Sequence, residues 1–374
     1  MNCTVDDLCR TMQDIAPLHL AASWDNTGLI LGRHDAMIER VMLCIDLTDA
    51  VAEEAVNTRV HAVVAYHPPL FEPIKSLTDA RGGPGALLRL AEAGIAVYSP
   101  HSALDATPNG ITDWLAEGLG SGIVSPLHHA PDHASAHMFK LVTYVPGNAV
   151  DTVHQAMSDA GAGRIGDYSM CSTRIASTGT FMGEVGTAPA IGQSERLETV
   201  EEFRLMMVCH RDQLADAVAA LRRSHPYEEP PVHIIELAET PLPDHGLGRL
   251  IQFNEPTDTT AIADRLKVHL GVDTVRVAKS ISAPNQHTCA ACCCGAGGSM
   301  LSDARRVGAT MFVTGEMRHH DVLLAIEHGI TVILAGHTNT ERGFLPQLRD
   351  RLAATMPNCQ YSVSQADCIP WRQY

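Results

Sequence analysis

Short apolar strands alternate with helices through both ends of the chain, and this alternation constrains the fold more than any other feature. In the first 130 residues, the strands RVMLCIDL, HAVVAYH and IAVYSPH are separated by the helices TDAVAEEAV and PGALLRLAEAG. From Gly246 the pattern returns, with strands GRLIQF, VRVAKSI, TCAACCCG, TMFVTG and TVILAG. Strands joined by helices form right-handed βαβ crossovers. The sequence therefore predicts the α/β class, with a parallel sheet covered on both faces.

Residues 131–245 follow a different pattern. Their predicted elements are the strand FKLVTYVP, the helix NAVDTVHQAMSDAGAG, the hairpin segment YSMCSTRIASTGTF, the strand VEEFRLMMVCH, the helix RDQLADAVAALRRSH and the strand PPVHIIELA. The order βαββαβ is that of a ferredoxin-like α+β domain. Polar, proline-containing segments flank it, as at domain boundaries. We therefore predict a discontinuous α/β domain from residues 1–130 and 246–374, with residues 131–245 inserted.

Charge and composition exclude several classes of protein. The 27 basic and 43 acidic residues give a net charge of -16, which repels a phosphate backbone, so direct binding of nucleic acid is not expected. The start MNCTVDDLCRTM lacks the basic and apolar regions of a signal peptide, and no run of about 18 apolar residues follows. We expect a cytoplasmic protein with no membrane segment. Its 11 scattered cysteines favour reduced thiols over disulfides.

Three of the 20 histidines directly follow predicted strands. His67 follows AVVAY, His101 follows IAVYSP and His337 follows TVILAG. Ligands of open α/β sheets bind at the carboxyl ends of the strands. His101 and His337 also have a carboxylate four residues on, in Asp105 and Glu341. Three imidazoles and two carboxylates at one edge suit zinc, manganese, iron or another divalent ion, without selecting among them.

Eight segments carry a resemblance to a known family. They are WDNTGLILG (24–32), YHPPLF (66–71), SPHSALDATPNGITDWLA (99–116), AGAGRIGDYSMCS (160–172), HPYEEP (225–230), CGAGGSM (294–300), VTGEMRHHD (313–321) and AGHTNTE (335–341). Together they resemble the NIF-three-like family, also called GTP cyclohydrolase I type 2 homologues. The resemblance covers nearly the whole chain.

The resemblance implies a dinuclear metal centre in a discontinuous α/β domain, an inserted PII/CutA-like domain and a homohexamer. The family's ligands correspond here to His67, Asp105, His337 and Glu341, with Glu341 expected to bridge two divalent ions. The family's usual first histidine of a pair is Tyr66 here, a variant that reads YHPP. Neutral tyrosine is a poor ligand. One ion is therefore expected to bind weakly, or to use His101 or water.

Two functions are consistent with this ligand set. The first is a metal-dependent hydrolase similar to GTP cyclohydrolase I type 2, with a nucleotide or related small metabolite as its substrate. Paired cations lower the pKa of a bound water, and His101 and His320 are candidates to transfer the proton. The alternative is a non-catalytic metal-binding adaptor or regulatory protein that acts through its oligomer and PII-like domain.

Three other motifs each leave two interpretations open. The cysteines of residues 289–294 are buried thiols or, less simply, thiolate ligands. The glycine-rich turn at residues 295–299 either holds an anion with its backbone amides or allows tight strand-to-helix packing. HPYEEP offers His225, Glu228 and Glu229, on either a solvated loop or a ligand site of the inserted domain.

Overall fold

The structure is a computed structural model that describes residues 3–79, 82–132 and 137–371. Its strands are β1 Cys3–Thr4, β2 Gly28–Leu31, β3 Met37–Ile38, β4 Arg40–Cys44, β5 Ala62–Ala65, β6 Ala96–Ser99, β7 Gly122–Pro131, β8 Met138–Pro146, β9 Thr173–Met182, β10 Leu197–His210, β11 His233–Glu236, β12 Pro241–Asp258, β13 Arg276–Ala278, β14 Gln286–Ala296, β15 Met311–Glu316, β16 Thr331–Leu334 and β17 Gln360–Val363. Its α-helices are α1 Val5–Ile15, α2 Asp49–Asn57, α3 Gly83–Glu92, α4 His101–Ala106, α5 Ile111–Glu117, α6 Val150–Asp159, α7 Arg211–Ser224, α8 Thr259–Leu270, α9 Leu301–Arg306, α10 His319–Glu327, α11 Asn339–Arg342 and α12 Leu345–Thr355. The chain falls into two compact units, residues 1–130 with 242–374 and residues 131–241.

The first unit contains a five-stranded sheet in the order β17-β4-β5-β6-β2. The first four strands are parallel, and β2 runs antiparallel to β6. Every residue of β5 is buried, with Val64 in one hydrophobic cluster and Val63 and Ala65 in another. Successive side chains of a strand point to opposite faces, so the sheet is covered on both sides. This explains why the strand sequence is continuously apolar.

The first unit also contains a six-stranded sheet in the order β13-β16-β15-β14-β12-β7. Here β14, β15 and β16 are parallel, whereas β13 and β12 pair antiparallel with β16 and β14. The fold is thus mixed α/β with several sheets, where the alternation predicted a parallel sheet. The alternation indicates which segments are strands, but it does not encode the direction of an edge strand or the division into two sheets.

The second unit has one sheet in the order β11-β8-β10-β9, with every pairing antiparallel. Its elements follow one another as strand, helix, strand, strand, helix, strand. Residues of α6 and α7, such as Met157 and Leu221, form one hydrophobic cluster with Leu141 of β8 and Leu205 of β10. One face of this sheet is therefore packed against both helices.

Over residues 3–79, 82–132 and 137–371, no helix combines the length and the apolar character that crossing a membrane requires.

A buried arginine joins the two sequence segments of the first unit. Arg249 of β12 is 1 % exposed and forms an ion pair with Asp113 of α5. Its Nη1 donates to the carbonyl oxygens of Gly246 (2.6 Å) and Gly248 (2.8 Å), and its Nη2 donates to that of Thr107 (2.9 Å). The guanidinium therefore satisfies a carboxylate and three carbonyls, and it connects residues 136 positions apart in the chain.

We expect the substitution Arg249→Met to lower the free energy of unfolding by about 3 kcal/mol, because it leaves a partly buried carboxylate and buried carbonyls without a donor. Urea titration followed by tryptophan fluorescence measures this, because Trp114 is buried in the folded protein and becomes exposed on unfolding. Lys267→Met is the control, since its pair with Asp264 is exposed and should contribute less than about 1 kcal/mol. An equal decrease in the free energy of unfolding in the two variants would contradict a stabilising role of the buried Arg249 ion pair.

Candidate metal centre

Three parallel strands bring histidines to one cavity in the first unit. His67 follows β5, His101 follows β6 and His337 follows β16. The ring of His67 lies between the other two, with centroid distances of 5.4 Å to each. Because β5 and β6 belong to the five-stranded sheet and β16 to the six-stranded sheet, the carboxyl edges of both sheets contribute to this cavity.

A buried glutamate lies between two of these histidines. The Oε1 atom of Glu341, in α11, is 3.6 Å from Nε2 of His67 and 3.4 Å from Nε2 of His337. The ligand atoms of these three side chains all lie within 4.8 Å of one another. A carboxylate and two imidazoles this close together suit one divalent ion, whose bonds to such atoms measure about 2.0–2.2 Å.

All three histidines have a carboxylate against Nδ1. The pairs are His67–Asp46 at 2.9 Å, His337–Glu316 at 2.9 Å and His101–Asp25 at 2.7 Å. A carboxylate at Nδ1 fixes the orientation of the ring, sets the tautomer and raises the basicity of Nε2, an arrangement typical of metal-binding histidines. In His67 and His337, the Nε2 atom is the one that faces Glu341.

The carboxylates make the surroundings of His67 strongly attractive to a cation. Burial disfavours the charged imidazolium, but the hydrogen bonds to Asp46 and Glu341 outweigh burial and raise the pKa of His67 to about 10. Burial also opposes ionisation of Asp46, yet its hydrogen bond with His67 holds its pKa below the usual value. The negative charge that stabilises a proton here would equally stabilise a metal ion.

His101 has a strained backbone that a hydrogen-bond network supports. Its φ is +29°, which is uncommon for a residue with a side chain. The buried Asp25 carboxylate contacts His101 Nδ1, and it accepts hydrogen bonds from the backbone N–H (3.0 Å) and the hydroxyl of Ser102. Burial opposes ionisation of Asp25, but these hydrogen bonds from His101 and Ser102 keep its pKa below the usual value. Strain of this kind is concentrated at functional sites.

Asp105 is hydrogen-bonded to the tyrosine that precedes His67. The Tyr66 hydroxyl donates to Asp105 Oδ1 at 2.5 Å, and the Tyr66 ring lies 5.4 Å from that of His101. Burial raises the pKa of Asp105 to about 6, although the neighbouring His101 and the Tyr66 hydroxyl favour its charged form. Burial also raises the pKa of Tyr66 well above its usual value, so the phenol stays protonated and acts as a donor.

The surroundings of Glu341 fit a bound cation. This residue is 1 % exposed, and its Oε2 atom has no hydrogen-bond partner among the described residues. A buried carboxylate without a partner is costly unless a cation neutralises it. A Cβ atom at Gly295, which has φ +60°, would lie 2.7 Å from Glu341 Oε1 and 2.9 Å from His337 Nε2. Glycine at this position therefore keeps the space beside both side chains clear.

The histidines line a cavity of about 530 Å³. Its lining consists of Asp46, His67, Pro68, Phe71, His101, Glu316, Gly336, His337, Thr338, Asn339, Ile369, Pro370 and Trp371. A cavity of this size accommodates a small organic molecule.

Other residues singled out in the sequence lie elsewhere. His320 is exposed at the start of α10, with its ring 5.5 Å from that of His319, and it is not part of the cavity lining. His225 is buried, with Nε2 2.9 Å from the carbonyl oxygen of Tyr144 and Nδ1 accepting a hydrogen bond from the Tyr227 N–H. Both ring nitrogens of His225 are thus used within its own unit, and its imidazole serves to fix the loop.

The cysteine-rich strand β14 supplies buried thiols. Cys292 is fully buried, and burial raises its pKa to about 12. Burial likewise raises the pKa of Cys294 well above its usual value. Protonated thiols are poor metal ligands. In the glycine-rich turn that follows, Gly295 serves the close packing of Glu341 and His337, which favours the packing interpretation of that turn.

Sequence reasoning missed the carboxylates that orient the histidines. Asp46 follows β4, and Glu316 is the last residue of β15. The placement rule that selected the histidines, at the carboxyl ends of parallel strands, would have selected these two as well. Asp25 follows no strand of either sheet, and only its occurrence in the WDNTGLILG segment marked it.

The fold and the cavity together define an α/β protein with a candidate divalent-metal centre of carboxylate-oriented histidines. The chain belongs to the Duf34/NIF3 (NGG1p interacting factor 3) family, whose model matches residues 3–369. The resemblance found in the sequence is thereby confirmed.

Relatives match along almost the entire chain. NIF3-like protein 1 of Mus musculus is 32 % identical over 371 residues, covering 98 % of this chain and 91 % of the relative. The GTP cyclohydrolase 1 type 2 homolog of Halalkalibacterium halodurans is 33 % identical over 352 residues, covering 93 % and 92 %. Among solved structures, a Bacillus cereus protein related to NIF3 has a TM-score of 0.65 at 27 % identity, covering 100 % of this chain and 99 % of that one.

We expect Asp46→Asn to lower the pKa of His67 from about 10 by about one pH unit or more, because a negative neighbour that favours the imidazolium is replaced by a neutral one. NMR titration of the metal-free protein measures this, with the His67 resonance assigned by comparison with His67→Gln. Asp35→Asn is the control, because Asp35 is exposed and pairs with Arg33. An unchanged titration of His67 in Asp46→Asn would contradict the pairing.

Proposed function

We propose that this cavity is the active site of a metal-dependent hydrolase similar to GTP cyclohydrolase I type 2. It has a dinuclear divalent-metal centre, and its substrate is a nucleotide or a related small metabolite. The observation that carries the proposal is the set of three histidines, each paired with a carboxylate through Nδ1, of which His67 and His337 flank the buried Glu341. The names of the relatives, GTP cyclohydrolase 1 type 2 homolog among them, support the reaction class.

Two groups of donors hold the ions in this proposal. His67, His337 and Glu341 form the first group, supported by their mutual distances within 4.8 Å. His101 and Asp105 form the second, and Glu341, whose Oε2 atom has no hydrogen-bond partner among the described residues, would be shared by the two groups. Divalent ions bound there supply Lewis acidity and lower the pKa of a coordinated water towards neutrality. Imidazoles and carboxylates suit zinc, manganese or iron.

The residues of the chain position these groups and transfer protons. Asp46 and Glu316 hold the rings of His67 and His337, so Nε2 is the free nitrogen of each. Where a water takes the place of His101 in the second group, Nε2 of His101, whose ring Asp25 orients through Nδ1, is free for proton transfer at the substrate. The assignment rests on its place in the cavity lining beside His67.

The alternative function is that of a non-catalytic metal-binding adaptor or regulatory protein. One observation favours it, namely that the Tyr66 hydroxyl already occupies one oxygen of Asp105, a donor of the second group. A chain that holds one ion firmly and the other weakly suits a structural or regulatory metal better than dinuclear hydrolysis.

Further proposals concern the whole protein. We propose that the second unit is an inserted ferredoxin-like domain of the PII/CutA type, which the strand order β11-β8-β10-β9 and the element order βαββαβ support. A homohexamer is proposed on the family resemblance, and the cytoplasmic location expected from the sequence is kept as a proposal.

We expect Glu341→Gln to reduce the bound metal below about one ion per chain in metal-replete protein, because a neutral amide replaces the carboxylate common to both groups. Mass spectrometry of the metal content tests this, with Glu327→Gln on the exposed face of α10 as control. Wild-type protein loaded with manganese, zinc or iron should hydrolyse a member of a nucleotide panel, and Glu341→Gln should not. If wild-type protein binds metal but none of its metal-loaded forms hydrolyses a substrate, the adaptor function is supported. If wild-type protein binds no metal, both the hydrolase and the adaptor function are ruled out.

We expect Tyr66→Phe to strengthen binding of the second ion about tenfold, because the hydrogen bond to Asp105 no longer has to be broken. Isothermal titration of metal-free protein with Zn²⁺ or Mn²⁺ resolves the two affinities. Tyr98→Phe is the matched control, since this buried tyrosine of β6 has a hydroxyl without a hydrogen-bond partner among the described residues. Identical titrations of wild type and Tyr66→Phe would show that Tyr66 does not restrict Asp105.

A further inference from the structure

Exposed aromatic side chains surround the mouth of the histidine cavity. The chain has three tryptophans, of which Trp114 is buried, whereas Trp24 is 60 % and Trp371 is 83 % exposed. Phe71 is 53 % exposed. Phe71 and Trp371 line the cavity itself. Large aromatic side chains left in solvent together at a cavity are a feature of binding sites, because burial normally stabilises them.

Trp24 and Phe71 form one wall of the mouth. Their ring centroids are 5.9 Å apart, and the Trp24 ring lies edge-on to His101 at 6.0 Å. The side-chain amide of Asn26 donates to the carbonyl oxygen of Leu70 at 2.5 Å. This hydrogen bond joins the segment that carries Trp24 to the segment that carries Phe71, so the two rings are held together next to His101.

Residues 369–371 form another part of the cavity wall, and buried contacts hold the residues before them. The Asp367 carboxylate accepts a hydrogen bond from the Ile45 N–H at 2.6 Å and pairs with Arg342 at 2.5 Å. Glu54 accepts hydrogen bonds from the N–H groups of Gln365 and Ala366, each at 3.0 Å. Ile45 and Arg342 are the neighbours of Asp46 and Glu341, so this wall is tied to the backbone that carries the candidate ligands.

The charges of the cavity restrict what its occupant can be. Two carboxylates, those of Asp46 and Glu316, are part of its lining, and none of the described lining residues is a lysine or an arginine. A polyphosphate chain would meet these carboxylates, and only the proposed ions, not a side-chain cation, could bind it. Thr338 and Asn339, by contrast, offer neutral hydrogen-bonding groups beside His337. A flat ring with amide or amine groups on its edge could stack on the aromatic side chains and form hydrogen bonds with Thr338 and Asn339.

We propose that Trp24, Phe71 and Trp371 form a stacking site for an uncharged planar heteroaromatic ring, of the nucleobase or nucleoside class, held over the histidine cluster. This inference rests on the proposed function, since it takes the ring to be part of the molecule that is hydrolysed. It narrows the substrate from nucleotides in general to compounds whose recognition requires no phosphate.

Equilibrium dialysis of the full-length, metal-replete protein with radiolabelled guanosine tests the proposal. Trp371→Leu and Phe71→Leu should each weaken guanosine binding about tenfold, as expected when a stacked aromatic side chain is lost. Tyr168→Leu is the matched control, because this tyrosine is 76 % exposed in the other unit, and the substitution should leave binding unchanged. In the metal-free protein, which has no cation to bind a phosphate, guanosine 5′-monophosphate should bind no more tightly than guanosine. Circular dichroism checks that each variant is folded.

Three results would overturn the inference. The first is equal binding of guanosine by wild type, Trp371→Leu and Phe71→Leu, and the second is tighter binding of the monophosphate than of guanosine by the metal-free protein. The third is dissociation of an oligomer in these two variants on analytical ultracentrifugation, which would mean that a second copy of the chain covers these aromatic residues. The metal content of the same samples separates this inference from the proposed function. Variants that retain their ions but lose guanosine support it, whereas wild-type protein without ions refutes the hydrolase regardless of guanosine binding.

Discussion

The burial of Glu341 is the constraint on which the rest of the cavity depends. A carboxylate with 1 % exposure and one oxygen without a partner among the described residues requires positive charge nearby, because an isolated buried charge is strongly destabilising. The imidazole of His67, whose pKa is raised, supplies it. His67 and His337 each have a second carboxylate against Nδ1. These carboxylates fix both rings without filling the space beside Glu341.

Local backbone features serve the same arrangement. A positive φ at His101 and a glycine at position 295 are both costly or restrictive, and both lie beside the cluster. The first turns the imidazole towards Asp25, and the second leaves room for two side chains that any Cβ would displace. The residues around the cluster thus lower the stability of the fold locally, whereas buried ion pairs such as that of Arg249 stabilise the surrounding unit.

The sequence predicted the α/β class, the family and the strand ends that carry His67, His101 and His337. These follow from local rules, namely apolar runs of strand length and the tendency of ligands to lie at carboxyl ends. The two-sheet arrangement was not predicted, because the choice of sheet depends on long-range pairing that the alternation of elements does not encode. Asp25 was missed for the same kind of reason, since its partner His101 lies 76 positions away. Asp46 and Glu316 also lie at the carboxyl ends of parallel strands, but this placement rule was applied only to histidines. His320 obeyed the rule in sequence, yet its side chain is exposed away from the cavity.

Adjacent residues of α11 contact different parts of the chain, and this couples the histidine cluster to the proteolytic stability of a distant segment. Glu341 belongs to the histidine cluster, while its neighbour Arg342 holds Asp367 and, through it, the last described part of the chain. Any event that unwinds this short helix releases both at once. The susceptibility of the segment around Asp367 to proteolysis is therefore coupled to the integrity of the cluster, so cleavage there would report damage to His67, which lies far from the cut in sequence.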